Sequence, residues 1–174
     1  MPRPSKLYLA YGSNLHKAQM RKRCPNARAL GSVMLMDAKL VFRNVADVIY
    51  APGQQVPCGV WRIYRDDEDA LDRYEGIRGG FYTKEMIELD NGQEALLYKM
   101  NSEAIYPPSH YYYNIMRQGY HDFGLELGYL ENALKESYLK KAPTDDTRRR
   151  RSKQRNNSYQ AKLAAMPGRM KAVS

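Results

Sequence analysis

The sequence predicts an α+β domain of roughly six strands with helices beside them, followed by a basic C-terminal extension. Three observations predict it. Runs rich in β-branched and aromatic residues recur between turn signals, as at residues 58–64 (CGVWRIY) and 82–89. Two stretches in the second half carry apolar residues at helical spacing. The excess positive charge is confined to one end: residues 140–174 hold 11 Lys/Arg and 2 Asp/Glu, a net of +9, while residues 1–139 hold 17 of each. Six strands are enough to curl into a small barrel.

A chain of 174 residues can bury a real core. Its 43% hydrophobic and 27% charged residues fit a soluble globular class. No apolar run approaches the ~20 residues that span a bilayer, so no membrane role is expected. The opening residues MPRPSK lack the apolar core of a secretion signal. Cys24 and Cys58 lie far apart, without a second Cys pair or a His-x-x-x-His partner. That pattern argues against a zinc site or a disulfide scaffold, and for a reducing, cytoplasmic compartment. His16, His110 and His121 are scattered, so no metal is expected.

The first element is residues 6–11, which alternate well enough for a buried strand. It runs into Gly12-Ser13-Asn14. Gly12 has no side chain, so a ligand can approach the backbone closely. Ser13 and Asn14 are good helix-start residues, and the amphipathic run 15–24 follows. Such a turn aims several backbone N–H groups at one spot, which suits a small ligand bearing a carboxylate or phosphate. Pro25-Asn26 breaks the chain.

Residues 27–42 are mostly apolar, interrupted at Gly31 and at 37–39, and read as two strands. Residues 44–57 read as a loop, with Ala51-Pro52-Gly53 as a turn signal. Residues 58–64 form a central strand. Four acids at 66–69 then crowd the first turn of a helix, where capping and the dipole favour them, and Gly76 ends it. Leu71 and Tyr74 face the core. Glu75, at the helix end, can turn into a cleft.

Residues 82–89 and 94–100 pair as strands across the hairpin turn Asp90-Asn91-Gly92. Pro107-Pro108-Ser109 opens a helix capped by Ser109 and carrying Tyr111, Tyr112, Ile115 and Met116. Residues 119–124 read as a break between glycines. Leu127, Leu130, Leu134 and Tyr138 mark a last helix, with the latter three in the core, and Pro143 ends it. The domain therefore spans residues 1–141, and residues 142–174 form a basic, flexible tail.

Four pieces stand in order, each at an element boundary: Tyr11-Gly12-Ser13-Asn14-Leu15, Leu71-Asp72-Arg73-Tyr74-Glu75-Gly76, Gly80-Phe81-Tyr82, and Pro107-Pro108-Ser109 with tyrosines after it. Over about residues 6–140 the chain resembles the γ-glutamylcyclotransferase family, including its AIG2-like and butirosin-pathway relatives. The resemblance implies a small mixed six-stranded barrel flanked by helices. It also implies a cofactor-free, metal-free reaction on a small γ-glutamyl substrate, in which the substrate's own amine attacks its side-chain amide and 5-oxoproline forms. Carried over by position, the acid/base carboxylate falls on Glu75. The binding loop falls on Tyr8, Leu9, Ala10, Tyr11, Gly12 and Ser13. Further substrate-contacting tyrosines fall on Tyr82, Tyr98 and Tyr112, the last flanked by Tyr111 and Tyr113.

A second class of function is also expected from the charge distribution. Residues 148–155 (RRRRSKQR) could bind nucleic acid or an acidic partner non-specifically, on a scaffold that only holds ligand.

Overall fold

In the computed structural model, which describes residues 3–140, a five-stranded mixed sheet carries the helices. The elements run β1 (Ser5–Ala10), α1 (Lys17–Arg23), β2 (Arg28–Phe42), β3 (Ala46–Tyr64), α2 (Arg65–Glu75), β4 (Tyr82–Glu88), β5 (Glu94–Met100), α3 (His110–Phe123) and α4 (Leu127–Leu139). The strand order is β2-β3-β1-β5-β4. The opening strand is therefore the middle one. It lies antiparallel to β3, with Tyr8 opposite Trp61, and parallel to β5, with Tyr8 opposite Leu96. The sheet is open, with β2 and β4 as its edges, so the expected closed six-strand barrel is not what these residues form.

The strand count differs because two turn signals proved to be bulges. Residues 27–42, read as two strands, form the single strand β2. Its interruptions at Gly31 and Asp37 are register shifts against β3, and both residues have positive φ (136° and 51°). A bulge bends a strand without ending it. Residues 44–57, read as a loop, mostly belong to β3. The hairpin turns instead at 43–45, where Arg43 N–H donates to Val45 O at 2.8 Å and Asn44 takes φ 67°. Gly53 sits across from the Asp37 bulge, and its N–H donates to Asp37 Oδ1 at 2.8 Å. The Pro-Gly pair thus marks a kink in a long ribbon.

Three helix boundaries also differ from the reading. The helix expected over 15–24 splits into a 3-10 turn, Ser13–Leu15, and the short α1. The α1 cap is His16, whose Nδ1 accepts from Gln19 N–H at 3.3 Å, rather than Ser13 or Asn14. The expected break at 119–124 is absent: α3 continues to Phe123 and ends at Gly124. On α4, Leu130 is buried but Tyr138 is 63% exposed, so Tyr138 is not core. Elsewhere, Ser109 caps α3 through Oγ, accepting from Tyr112 N–H at 3.1 Å, and Gly76 ends α2 in the left-handed conformation (φ 69°). Pro143 and the basic run 148–155 lie outside the described residues. Among the described residues, no helix is long and apolar enough to cross a membrane.

The core joins Leu9, Phe42, Ile63, Leu71, Leu96, Met116 and Leu130, all essentially fully buried. It fixes the ends of β1, α2 and β5 relative to one another, and those ends carry the site.

Candidate active site

At the C-terminal end of β1 the chain bends at Gly12. Its φ of −111° is open to any residue, so space is the reason for glycine here. A Cβ would sit 3.3 Å from Tyr112 Oη and 3.6 Å from Ala46 Cβ. The 3-10 turn that follows leaves Ser13 and Asn14 buried, with their side chains facing α2. Ser13 Oγ lies 2.9 Å from Tyr74 Oη. Asn14 Nδ2 donates to Tyr8 Oη at 2.8 Å and to Glu75 Oε1 at 3.1 Å. The two helix-start residues are thus engaged in side-chain contacts across the site, which explains why the cap falls to His16.

Glu75 is the last residue of α2 and only 8% exposed. Gly76 turns the chain away immediately after it, so the carboxylate stays under the sheet end instead of reaching solvent. Burial pushes its carboxyl up to about 7. The Arg23 charge and the Asn14 hydrogen bond pull it down, and Asp72, one helical turn earlier, pushes it up. A buried carboxyl titrating near neutrality can both take and return a proton.

Around it lies an open pocket of roughly 310 Å³ of empty space, lined by Tyr8, Tyr11, Gly12, Ser13, Asn14, Ala46, Glu75, Tyr82, Tyr98 and Tyr112. Six elements contribute to this lining, so it is the tertiary fold that assembles it. Burial, and after it the Glu75 carboxylate, holds the Tyr8 phenol well above its usual range, and burial does the same for Tyr11, Tyr82 and Tyr112. They are neutral hydroxyls at any working pH. Tyr11 Oη donates to the Tyr98 backbone carbonyl. Tyr98 packs edge-on against Tyr8, and its hydroxyl donates outward to Asp72 Oδ1 at 2.6 Å. Asp72 is held in turn by Lys84 at 2.6 Å, and Lys84 also reaches Glu68 at 2.9 Å. Tyr112 Oη accepts from Ala46 N–H at 3.1 Å.

Of the residues singled out by sequence, Tyr8, Tyr11, Gly12, Ser13, Glu75, Tyr82, Tyr98 and Tyr112 meet at this pocket. Leu9 and Ala10 do not line it; both are buried in the core beside it. Tyr111, which flanks Tyr112, is 48% exposed. Three contributors escaped the sequence reading. Asn14 stood in the opening motif and was read as a helix start, but not as a site residue. Ala46 lay in the supposed loop. Arg23 sits in the run Arg21-Lys22-Arg23, which looks like a solvated helix end; nothing in the sequence marks it out.

Residues 8–121 match the family described as "Gamma-glutamyl cyclotransferase, AIG2-like". The gamma-glutamylcyclotransferase of Homo sapiens is 32% identical over 141 residues, covering 72% of this chain and 75% of that protein. That of Bos taurus is 30% identical over 139 residues, covering 71% and 74%. A solved structure named gamma-glutamyl cyclotransferase superposes with a TM-score of 0.65 at 28% identity, covering 82% of this chain and 90% of its own. The matched stretch takes in every residue that lines the pocket, and the chain belongs to the gamma-glutamyl cyclotransferase, AIG2-like, family of enzymes.

Proposed function

We propose that this protein cleaves a γ-glutamyl amide by cyclising its glutamyl part, releasing 5-oxoproline and a free amine or amino acid, with Glu75 as general base and then general acid. The observation that carries this reading is the buried Glu75 carboxyl, pushed up to about 7, in the pocket at the Gly12 bend. The names of the similar proteins supply the reaction class.

The steps balance within the substrate and one carboxyl group. The substrate's α-ammonium gives a proton to the Glu75 carboxylate. The freed amine attacks the γ-carbonyl carbon, a C–N bond closes the five-membered ring, and the carbonyl oxygen becomes an oxyanion. As the oxyanion collapses, the original amide C–N bond breaks and Glu75 returns its proton to the leaving nitrogen; the ring nitrogen's second proton then passes through the same carboxylate to the released amine, which departs as an ammonium. Ring closure demands a folded substrate, so positioning contributes much of the barrier lowering.

The hydrogen-bond donors left over suit such a substrate. The backbone N–H groups of Gly12 and Asn14 have no partner among the described residues, which fits an α-carboxylate anchor. Tyr8 and Tyr112 each accept a hydrogen bond, from Asn14 and from Ala46 N–H, while their own hydroxyl hydrogens have no acceptor among the described residues. Those hydrogens can turn to the developing oxyanion.

The test is a panel of γ-glutamyl amino acids and γ-glutamylamines scored for 5-oxoproline. Glu75→Gln is expected to lower the rate by roughly a hundredfold or more while keeping the fold. A Glu75→Gln enzyme working at the wild-type rate would end this reading. A separate, compatible role for the tail rests on the net +9 confined to residues 140–174: non-specific attachment to nucleic acid or another polyanion through residues 148–155. Two buried free thiols, Cys24 and Cys58, support a reducing, cytoplasmic setting.

A further inference from the structure

We propose that Arg23, which does not line the pocket, is a positioning residue for this reaction: it locks the Asn14 amide so that its NH2 group faces Glu75 and Tyr8. The proposal rests on Glu75 being the acid/base group. It begins with what each side chain can do. A guanidinium only donates hydrogen bonds. Arg23 Nη1 lies 2.8 Å from Asn14 Oδ1, so that end of the amide must be the carbonyl oxygen. The other end is therefore NH2, and its two hydrogens go to Tyr8 Oη at 2.8 Å and Glu75 Oε1 at 3.1 Å. Without Arg23 the amide could rotate by half a turn. Its oxygen would then face the Glu75 carboxylate, and two acceptors would oppose each other.

Arg23 is itself held from three sides. Nη2 donates to Gln19 Oε1 at 2.6 Å and to Tyr74 Oη at 3.0 Å, and the guanidinium lies over the Tyr74 ring, 3.9 Å from its centroid. Tyr74 is tied in turn to Ser13. The chain of contacts runs from α1 through the turn to the end of α2, and its last link is the catalytic carboxyl. A lysine in this position would keep the charge but lack the planar fork that reaches all three acceptors.

The test is a double-mutant cycle in the full-length protein, with Arg23→Met and Asn14→Ala, read as kcat and KM for 5-oxoproline release from the best γ-glutamyl substrate. Arg23→Met is expected to lower kcat roughly ten- to a hundredfold with a smaller change in KM. In the Asn14→Ala background the same change should cost less than about threefold, because the group it acts through is gone. Full additivity, or wild-type kcat in Arg23→Met, overturns the proposal. If Arg23→Met unfolds at the assay temperature, Arg23→Lys goes through the same cycle under the same criteria. An NMR readout separates this proposal from the reaction itself. In the wild type the Asn14 side-chain NH2 signals should shift as Glu75 titrates, and in Arg23→Met that response should be lost. A response unchanged by the substitution overturns the Arg23 role whatever the enzyme's substrate. Loss of the response alongside a fully active Glu75→Gln enzyme would instead keep the Arg23 role and end the catalytic reading.

Discussion

Under the proposed mechanism, Glu75 couples stability to activity. Its carboxyl is raised by burial from 4.5 to about 7. Between those values the folded protein holds a proton that the unfolded chain has released. Stability therefore falls as pH rises through that window, by on the order of 3 kcal/mol once both forms are ionised. Glu75→Gln removes this penalty and keeps an oxygen to accept from Asn14. Its thermal midpoint is expected to exceed that of the wild type at pH 8 and to match it near pH 4.5, while turnover is lost. Equal midpoints at pH 8 would show that the carboxyl is not desolvated. Under the proposed mechanism the same titration sets the rate: the base must be ionised in the free enzyme, so kcat/KM should fall on the acid side of about pH 7 in a pH–rate profile. Tyr112 tests the donor side of the pocket. Tyr112→Phe leaves the Ala46 N–H without its acceptor, at a cost of about 1–3 kcal/mol measured by denaturant unfolding. It also removes one hydrogen available to the oxyanion, so kcat should fall at least tenfold.

At the scale of elements, the site depends on how closely α3 approaches the turn after β1. Gly119 lies in the middle of α3, where alanine would favour the helix by about 1 kcal/mol. Yet a Cβ there would sit 2.5 Å from Leu15 Cβ and 2.9 Å from the backbone nitrogen of His16. Backbone cannot swing aside as a side-chain tip can, so α3 must move off the turn that holds Ser13 and Asn14. Gly119→Ala is expected to destabilise by roughly 1–3 kcal/mol and to slow 5-oxoproline release, measured by thermal unfolding and the same assay. The sequence alone made Gly119 look like a break, because the contact that requires glycine lies about a hundred residues away. The same limit explains β2 and β3. Gly31, Asp37 and Pro52-Gly53 carry genuine turn chemistry, and only pairing across the ribbon turns it into bulges. Where the signal was local the reading held: Gly76 ends α2, Ser109 caps α3, and Gly92 sits in the 89–93 hairpin turn. The pocket was legible in part for a similar reason: the Gly12 bend and the helix-end position of Glu75 are local signals, while Tyr82, Tyr98 and Tyr112 followed only from the family resemblance, and Asn14 and Arg23 acquire their places only through contacts between elements.

Across the whole molecule, charge and the site are segregated. The lining of the pocket ends at Tyr112 and the family match at residue 121, while the net +9 belongs to residues 140–174. The two parts should therefore be separable by truncation. A chain ending at Lys141 keeps every described element and the whole pocket, so its kcat and KM for a γ-glutamyl substrate are expected to match those of the full chain. Polyanion binding should behave oppositely. Residues 148–155 hold six Lys/Arg. If each neutralises one phosphate of duplex DNA, affinity should drop about a thousandfold between 50 and 200 mM salt. Fluorescence anisotropy with a labelled duplex of arbitrary sequence measures both the slope and its dependence on the tail. The truncated chain, with a net charge of only +2 from Lys140 and Lys141, should show no binding at either salt concentration. Equal affinity in the two forms would place the contact on the body instead, and a salt-independent affinity would remove phosphate neutralisation as its cause.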